Sequence, residues 1–259
     1  TISESGCGYA WAKNSGENRL TPWTNDPVSD SAGESLYIRD EITGKVWSPT
    51  PLPAGQNVDY LVSHGQGYTI FKSYNQGFSQ QMKVFVDKNS PVKVIELTLE
   101  NNSKKHRRLT TTYFAEWVLG TNPESTKSFI VSDFENESGS LFARNTYSSQ
   151  FAERVAFLTS NKPVHGLTTD RREFLGSPGN RQIPEGLKRV GLSGKATTGA
   201  DPCAALQIHL NFSPGQKHKV IFCLGQGQDL VETKDLAKRF SQDEITEISW
   251  ENVRNTWDD

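Results

Sequence analysis

The chain has 259 residues, 34% hydrophobic and 22% charged, with a formal net charge of -2. That length suits a single large β domain of about 200–250 residues, and the charge offers no electrostatic pull toward nucleic acid or an anionic membrane. No run of about 18 apolar residues occurs, so nothing reads as a membrane-spanning helix.

The chain opens at "TISESGCGYA" with neither Met nor signal peptide, as a processed or cut-down chain would. "NRLTPWTNDPVSD" (18–30) follows, dense in polar and aromatic groups. Trp23 could stack on a sugar face while Asn25 and Asp26 bond hydroxyls; the alternative is a structural loop whose Asx side chains cap turns before Pro22 and Pro27. Then come stretches with period-2 patterning and many β-branched or aromatic residues: 35–40, 59–65, 67–74, 77–87, 92–101 and 108–120. In the last, Leu109, Thr111, Tyr113, Ala115 and Trp117 share one face. "ENNSKKHRR" between the final two reads as a polar hairpin loop.

Further strands are expected at 128–135, 154–160, 204–212 and 217–225, with "SPGQ" (213–216) as a turn. Ten to a dozen strands without intervening long helices predict an all-β fold, a large antiparallel two-sheet β-sandwich. "ARNTYSSQFAER" (143–154) links two strands; Asn145, Tyr147 and Gln150 could line a carbohydrate rim, and Arg144 and Arg154 could pair carboxylates, unless the loop is only structural. "GQGQDL" (225–230) reads as a strand-to-helix turn rather than a phosphate cradle.

The C-terminus is helical in pattern: "ETKDLAKRF" (232–240), then a capping box in which Ser241 and Glu244 exchange bonds. Ile245, Ile248, Val253 and Trp257 approximate one face, which either awaits something beyond residue 259 or folds back on the sheet.

"LTTDRREFLGSPGNRQIPEG" (167–186) has loop composition with concentrated charge. Asp170 and Glu173 invite comparison with the carboxylate pairs of glycosidases. Adjacent Arg171 and Arg172 would lower both carboxyl pKa values, which is wrong for a general acid. A salt bridge, or an arginine clamp on phosphate or carboxylate, fits better. No Gly-x-Ser-x-Gly, P-loop or His-Glu-x-x-His occurs. Cys7, Cys203 and Cys223 are odd in number and widely spaced, as in a reducing, cytoplasmic setting, and Cys223 in "VIFCLG" reads as a buried inert thiol. The His residues at 64, 106, 165, 209 and 218 lack metal-ligand spacing, so no metal is expected.

Taken in order, "GYAWAKNSGENRLTPWTNDPVSD", "LYIRDEITGKVWSPTPLP", "HGQGYTIF", "YFAEWVLG", "ARNTYSSQFAERVAF", "DRREFLG" and "DPCAALQ" resemble glycoside hydrolase family 94, the carbohydrate phosphorylases once grouped as glycosyltransferase family 36. "NRLTPWTNDPVSD" and "DPCAALQ" are most similar to the C-terminal phosphorylase-like region of cyclic β-1,2-glucan synthases; Gly16 departs from an Arg expected there. The resemblance implies the N-terminal supersandwich domain, galactose-mutarotase-like, over residues 1–230, with 231–259 as a helical linker toward an (α/α)6 barrel.

It implies further that the general acid lies in that barrel, so no catalytic residue is expected here. The parent would phosphorolyse a β-glucan with inversion to α-glucose 1-phosphate, using inorganic phosphate as co-substrate and no cofactor. The domain would shape the site and a homodimer through Trp23, Asn25, Asp26, Asn145, Tyr147, Gln150, Arg171, Arg172 and Glu173. The parent would be cytoplasmic, or a cytoplasmic part of an inner-membrane protein. Rival readings are a stand-alone carbohydrate-binding module and a hydrolase using Asp170 or Glu173.

Overall fold

A computed structural model of the chain describes residues 1–23, 32–148, 150–198 and 201–256. Asn25, Asp26 and Trp257 therefore lie outside the described residues. Among the described residues thirteen strands form two antiparallel sheets, the sandwich that the alternation predicts. The small sheet has the order β11 (Gly166–Asp170), β12 (Pro202–Phe212), β7 (Arg107–Glu116), β1 (Glu34–Asp40), β2 (Val46–Trp47). The large sheet runs β3 (Tyr60–Gly65), β4 (Tyr68–Asn75), β5 (Phe78–Val86), β6 (Val92–Asn101), β13 (Lys217–Gly227), β10 (Val155–Ser160), β9 (Ser140–Asn145), β8 (Ile130–Glu135).

The main core fills the space between the sheets. Leu109, Tyr113 and Ala115 of β7 face Leu97, Phe222 and Leu224 of the large sheet. The outward faces are also covered. Phe174, Leu175 and Leu187 pack over Tyr37, Phe114 and Ala205, while Leu236, Ala237 and Phe240 pack over Phe157, Ile221 and Cys223. Coverage on both faces explains why "VIFCLG" is a continuous apolar run rather than an alternating one, and why the Cys223 thiol is buried.

A charged group sits inside the sandwich. Glu34 accepts from Lys93 Nζ (2.6 Å), Tyr113 Oη (2.6 Å) and Thr21 Oγ1 (2.8 Å). Lys93 comes from the large sheet and Glu34 from the small one, so this fully engaged pair ties the layers together. Burial alone would raise the Glu34 pKa; Lys93 and the two hydroxyls more than offset it and hold the carboxyl low.

Residues 102–106 do not form a hairpin loop. β6 pairs with β5 and β13, whereas β7 pairs with β12 and β1, so this link crosses between the sheets. The turn at 213–216 crosses back beside it. Asn101 joins the two crossings: its amide nitrogen donates to Lys105 O (2.8 Å) and Ser213 O (3.1 Å), and its backbone bonds Gln216 O and Gly215 N. Turn composition is the same whether the next strand pairs back or changes layer.

Two helices close the chain, α3 (Leu230–Phe240) and α4 (Asp243–Asn255), once the short α1 (Pro123–Thr126) and α2 (Arg171–Leu175) are counted. The expected capping box does not form. Ser241 terminates α3, donating from Oγ to Lys238 O (2.8 Å), and Gln242 is the N-cap of α4 without a side-chain bond. The connection is too short for Ser241 to serve both helices. Of the two alternatives for α4, the folded-back helix holds. Trp250 lies against Phe85 (5.4 Å) and Tyr68 (4.9 Å), with Lys83 Nζ 4.3 Å from its ring centroid. The expected face is rotated: Val253 is buried and Ile245 half-buried, but Ile248 is exposed while Trp250, Thr246 and Ser249 turn inward.

Candidate functional site

Several of the sequence-chosen residues that lie among the described ones are linked to the segment where β7 terminates. Beyond Glu116 the backbone is gripped from two sides: Trp117 N donates to Pro202 O (3.1 Å) and Val118 N to Leu20 O (2.9 Å). Gly120 and Arg19 exchange backbone bonds of 3.0 and 3.1 Å. This brings the N-terminal segment carrying Trp23 alongside the end of β7. Trp23 is half exposed, tilted against Tyr9 at 6.1 Å, with the Arg19 guanidinium 5.7 Å from its ring. Arg19 is fixed by the carbonyls of Ser15 and Thr121, both at 3.1 Å.

Leu119, at the end of this path, has φ 44°, a left-handed conformation that costs about 1–2 kcal/mol for a side-chain-bearing residue. Its carbonyl accepts Asn145 Nδ2 at 2.9 Å, and Asn145 Oδ1 accepts Tyr147 N at 3.0 Å. Buried Asn145 therefore braces the loop from within, using both ends of its amide. Tyr147 is 75% exposed and stacks on Phe129 at 4.5 Å. Gln150 and Arg144 are exposed. Arg154 donates to Gln226 Oε1 (2.8 Å), the same oxygen that Asn18 Nδ2 reaches at 2.7 Å, so it serves an amide network.

The stretch 167–186 is not a plain loop. It contains the end of β11, all of α2 and part of a 3-10 turn at Glu185–Lys188. Asp170 caps α2, accepting from Arg172 N at 2.9 Å. Arg171 bridges Glu116 (3.3 Å) and Asp201 (3.1 Å). Arg181 bonds Glu116 from the other side and also Ala32 O, so two guanidinium groups close over one carboxylate at the end of β7. Arg172 is exposed, 4.0 Å from Asp201.

Glu173 accepts from Thr168 Oγ1 (2.6 Å), Ser193 N (2.7 Å) and Ser193 Oγ (2.7 Å). Burial pushes its pKa up, but these bonds and the charge of Arg189 more than offset that, leaving the carboxyl below its ordinary value. The direction matches the sequence expectation; the partners are Thr168, Ser193 and Arg189 rather than Arg171 and Arg172. An ionised carboxylate with three donors cannot act as a general acid.

Phe129, Arg19 and Arg181 were not singled out by sequence reasoning. Arg181 sits in a Gly- and Pro-rich stretch without periodicity, and only its charge within an otherwise small-residue run could have marked it.

Two antiparallel sheets packed on one core, with further clusters on their outer faces, define the class as a large β-sandwich. Residues 1–243 match the family described as "Glycosyl hydrolase 94, supersandwich domain", and the chain belongs to that family. The cyclic beta-(1,2)-glucan synthase NdvB of Rhizobium meliloti (strain 1021) is 34% identical over 230 residues, covering 88% of this chain and 8% of that protein. The N,N'-diacetylchitobiose phosphorylase of Vibrio furnissii is 24% identical over 273 residues, covering 100% of this chain and 33% of that protein. The chain thus spans a third or less of these relatives. A bacterial glucoamylase solved with acarbose shares the fold, with TM-score 0.57 and 11% identity, covering 98% of this chain and 36% of that one.

Proposed function

We propose that this chain is the non-catalytic sandwich domain of a β-glucan phosphorylase or cyclic β-1,2-glucan synthase. In this reading residues 231–259 lead toward a catalytic (α/α)6 barrel, and the barrel supplies the general acid. The parent cleaves a β-glucoside with inversion, inorganic phosphate being the nucleophile and α-glucose 1-phosphate the product. It works as a homodimer in the cytoplasm or on the cytoplasmic side of an inner membrane.

The observation that supports this most is the rim at the end of β7. Trp23, Tyr147, Gln150 and Arg172 are exposed there, while Asp170 and Glu173 are already bonded within the fold. Exposed aromatic and hydrogen-bonding groups suit sugar contact; engaged carboxylates do not suit proton transfer. The exposed groups, together with Asn25 and Asp26, would line the mouth of the barrel. Arg171, Asn145 and Glu173 would hold that lining in place.

The test has two arms. The isolated chain, given β-1,2-glucan and phosphate, should release no glucose 1-phosphate. In the parent enzyme Trp23→Ala and Arg172→Ala should each lower kcat/KM about tenfold, or ~1.4 kcal/mol of transition-state stabilisation. Release of glucose 1-phosphate by the isolated chain, or unchanged parent kinetics in both variants, would overturn the reading.

A further inference from the structure

We infer that the outer face of the large sheet, beside the rim, carries a non-catalytic binding cleft for a neutral oligosaccharide, with the Phe129–Tyr147 stack as its sugar platform. The cleft lies between the start of α3 and the β8–β9 edge and encloses about 340 Å³. Its floor is apolar, made by Val131, Phe142, Val155 and Leu230. Its polar groups are the largely buried Ser132, Asp133, Arg144 and the Lys234–Glu135 ion pair at 2.7 Å.

The platform adjoins the cleft through the strand ladder. Val131 pairs with Arg144 in the lining, Ile130 pairs with Asn145 one step on, and Phe129 and Tyr147 follow. The rings are nearly parallel, 4.5 Å apart and inclined by 20°. Their backbones are clamped: Thr146 donates to Phe129 O from both its N (3.0 Å) and its Oγ1 (3.1 Å), and Asn145 Oδ1 holds Tyr147 N. A platform fixed before the ligand arrives need not be ordered on binding. Tyr147 keeps 75% of its surface open, which exposes a flat π face to the C–H bonds on one side of a pyranose ring.

The charge balance decides the ligand class. Two acidic and two basic side chains line the cleft, and one pair neutralises itself, so no net field attracts an anion or a cation. What remains is Asp133 as an acceptor and Arg144 as a donor beside an apolar floor. A hydroxyl can satisfy both, giving to one and accepting from the other. A neutral polyhydroxylated chain fits that set, whereas a charged peptide or lipid headgroup would leave a like charge facing it. This inference shares Tyr147 with the rim reading but needs no barrel and no reaction: sugar binding by the isolated chain tests it, whereas kinetics of the Trp23 and Arg172 variants in the parent enzyme test the rim.

Nuclear magnetic resonance titration of the 259-residue chain tests it. The probes are β-1,2- and β-1,4-linked glucotrioses, with trigalacturonate as the charged comparator. A neutral trisaccharide should shift amides of β8, β9 and 145–148 saturably, with Kd of about 0.1–10 mM. Tyr147→Ala and Phe129→Ala should weaken binding about tenfold, and Tyr147→Phe should leave it within about twofold, because stacking needs the ring and not the hydroxyl. Trigalacturonate should bind at least about tenfold more weakly. No saturable shift at about 20 mM sugar, or wild-type affinity in Tyr147→Ala, overturns the cleft. Shifts confined to the Trp23 segment would also overturn it while favouring the rim.

Discussion

At the scale of single residues, Asn145, Tyr147 and Glu173 look alike in sequence: each is a polar or aromatic residue in a glycine- or serine-rich neighbourhood. The fold separates them. Asn145 and Glu173 have their polar atoms committed to Leu119, Tyr147, Thr168 and Ser193, while Tyr147 faces solvent. That distinction was not legible, since it depends in part on Leu119 and Ser193, some 20 or more residues away, which only the fold brings into reach. The direction of the Glu173 pKa shift was legible but its cause was not: the sequence pointed to Arg171 and Arg172, whereas Thr168, Ser193 and Arg189 supply it.

His209 carries a prediction at this scale. Its Nδ1 pairs with Thr110 Oγ1 at 2.7 Å, and its ring stacks against His165. Burial first, then His165 and Arg108, push its pKa down from 6.5 to about 4. The unfolded state therefore takes up the proton first. Stability is full above the unfolded value near 6.5 and declines as pH falls toward 4. The ring is partly solvated, so screening makes the loss smaller than the shift suggests. Urea midpoints measured from pH 7 to 4.5 should fall less steeply in His209→Gln than in the wild type; identical slopes would refute the assignment.

At the scale of elements, alternation located the long strands because their residues face two different environments in turn. It failed for β11, whose "LTTD" is polar in type yet packed, and for β2, which is too short for any period. In α4 the helical period was visible, but the face was not. Ile248 was counted on the packed face, but it is exposed, and Trp250 packs instead against Phe85 and Tyr68. Trp250→Ala should cost about 2–3 kcal/mol, less than a fully enclosed aromatic would. The loss should be local: amide exchange in α4 should quicken while that of β5 and β6 stays slow. Uniform acceleration throughout would show instead that α4 is part of the cooperative core.

At the scale of the whole molecule, the two-sheet class could be read from strand count and spacing, and the family from motif order. The layer assignment could not, since it rests on Asn101 and the paired crossings. Asn101→Ala would remove a fully buried side chain that donates to the Lys105 and Ser213 carbonyls and accepts from Ser103, and so would untie the two crossings. A loss of about 2–3 kcal/mol is expected from urea unfolding monitored by tryptophan fluorescence, shared by both sheets in one transition. Two separated transitions would mean the layers are not coupled there.

The strand order also has a bearing on time. β7, at the centre of the small sheet, finds one partner in β1, far upstream, and the other in β12, where Thr111 meets Ile208 some 97 residues later. β6 in the large sheet likewise waits for β13. The small sheet cannot be completed before residue 212 is made, nor the large one before residue 227, and pairings this distant are slow to find. Through most of its synthesis the chain holds finished hairpins such as β3–β4–β5 with one apolar side uncovered. That interval, rather than the stability of the finished sandwich, is when it is most open to aggregation.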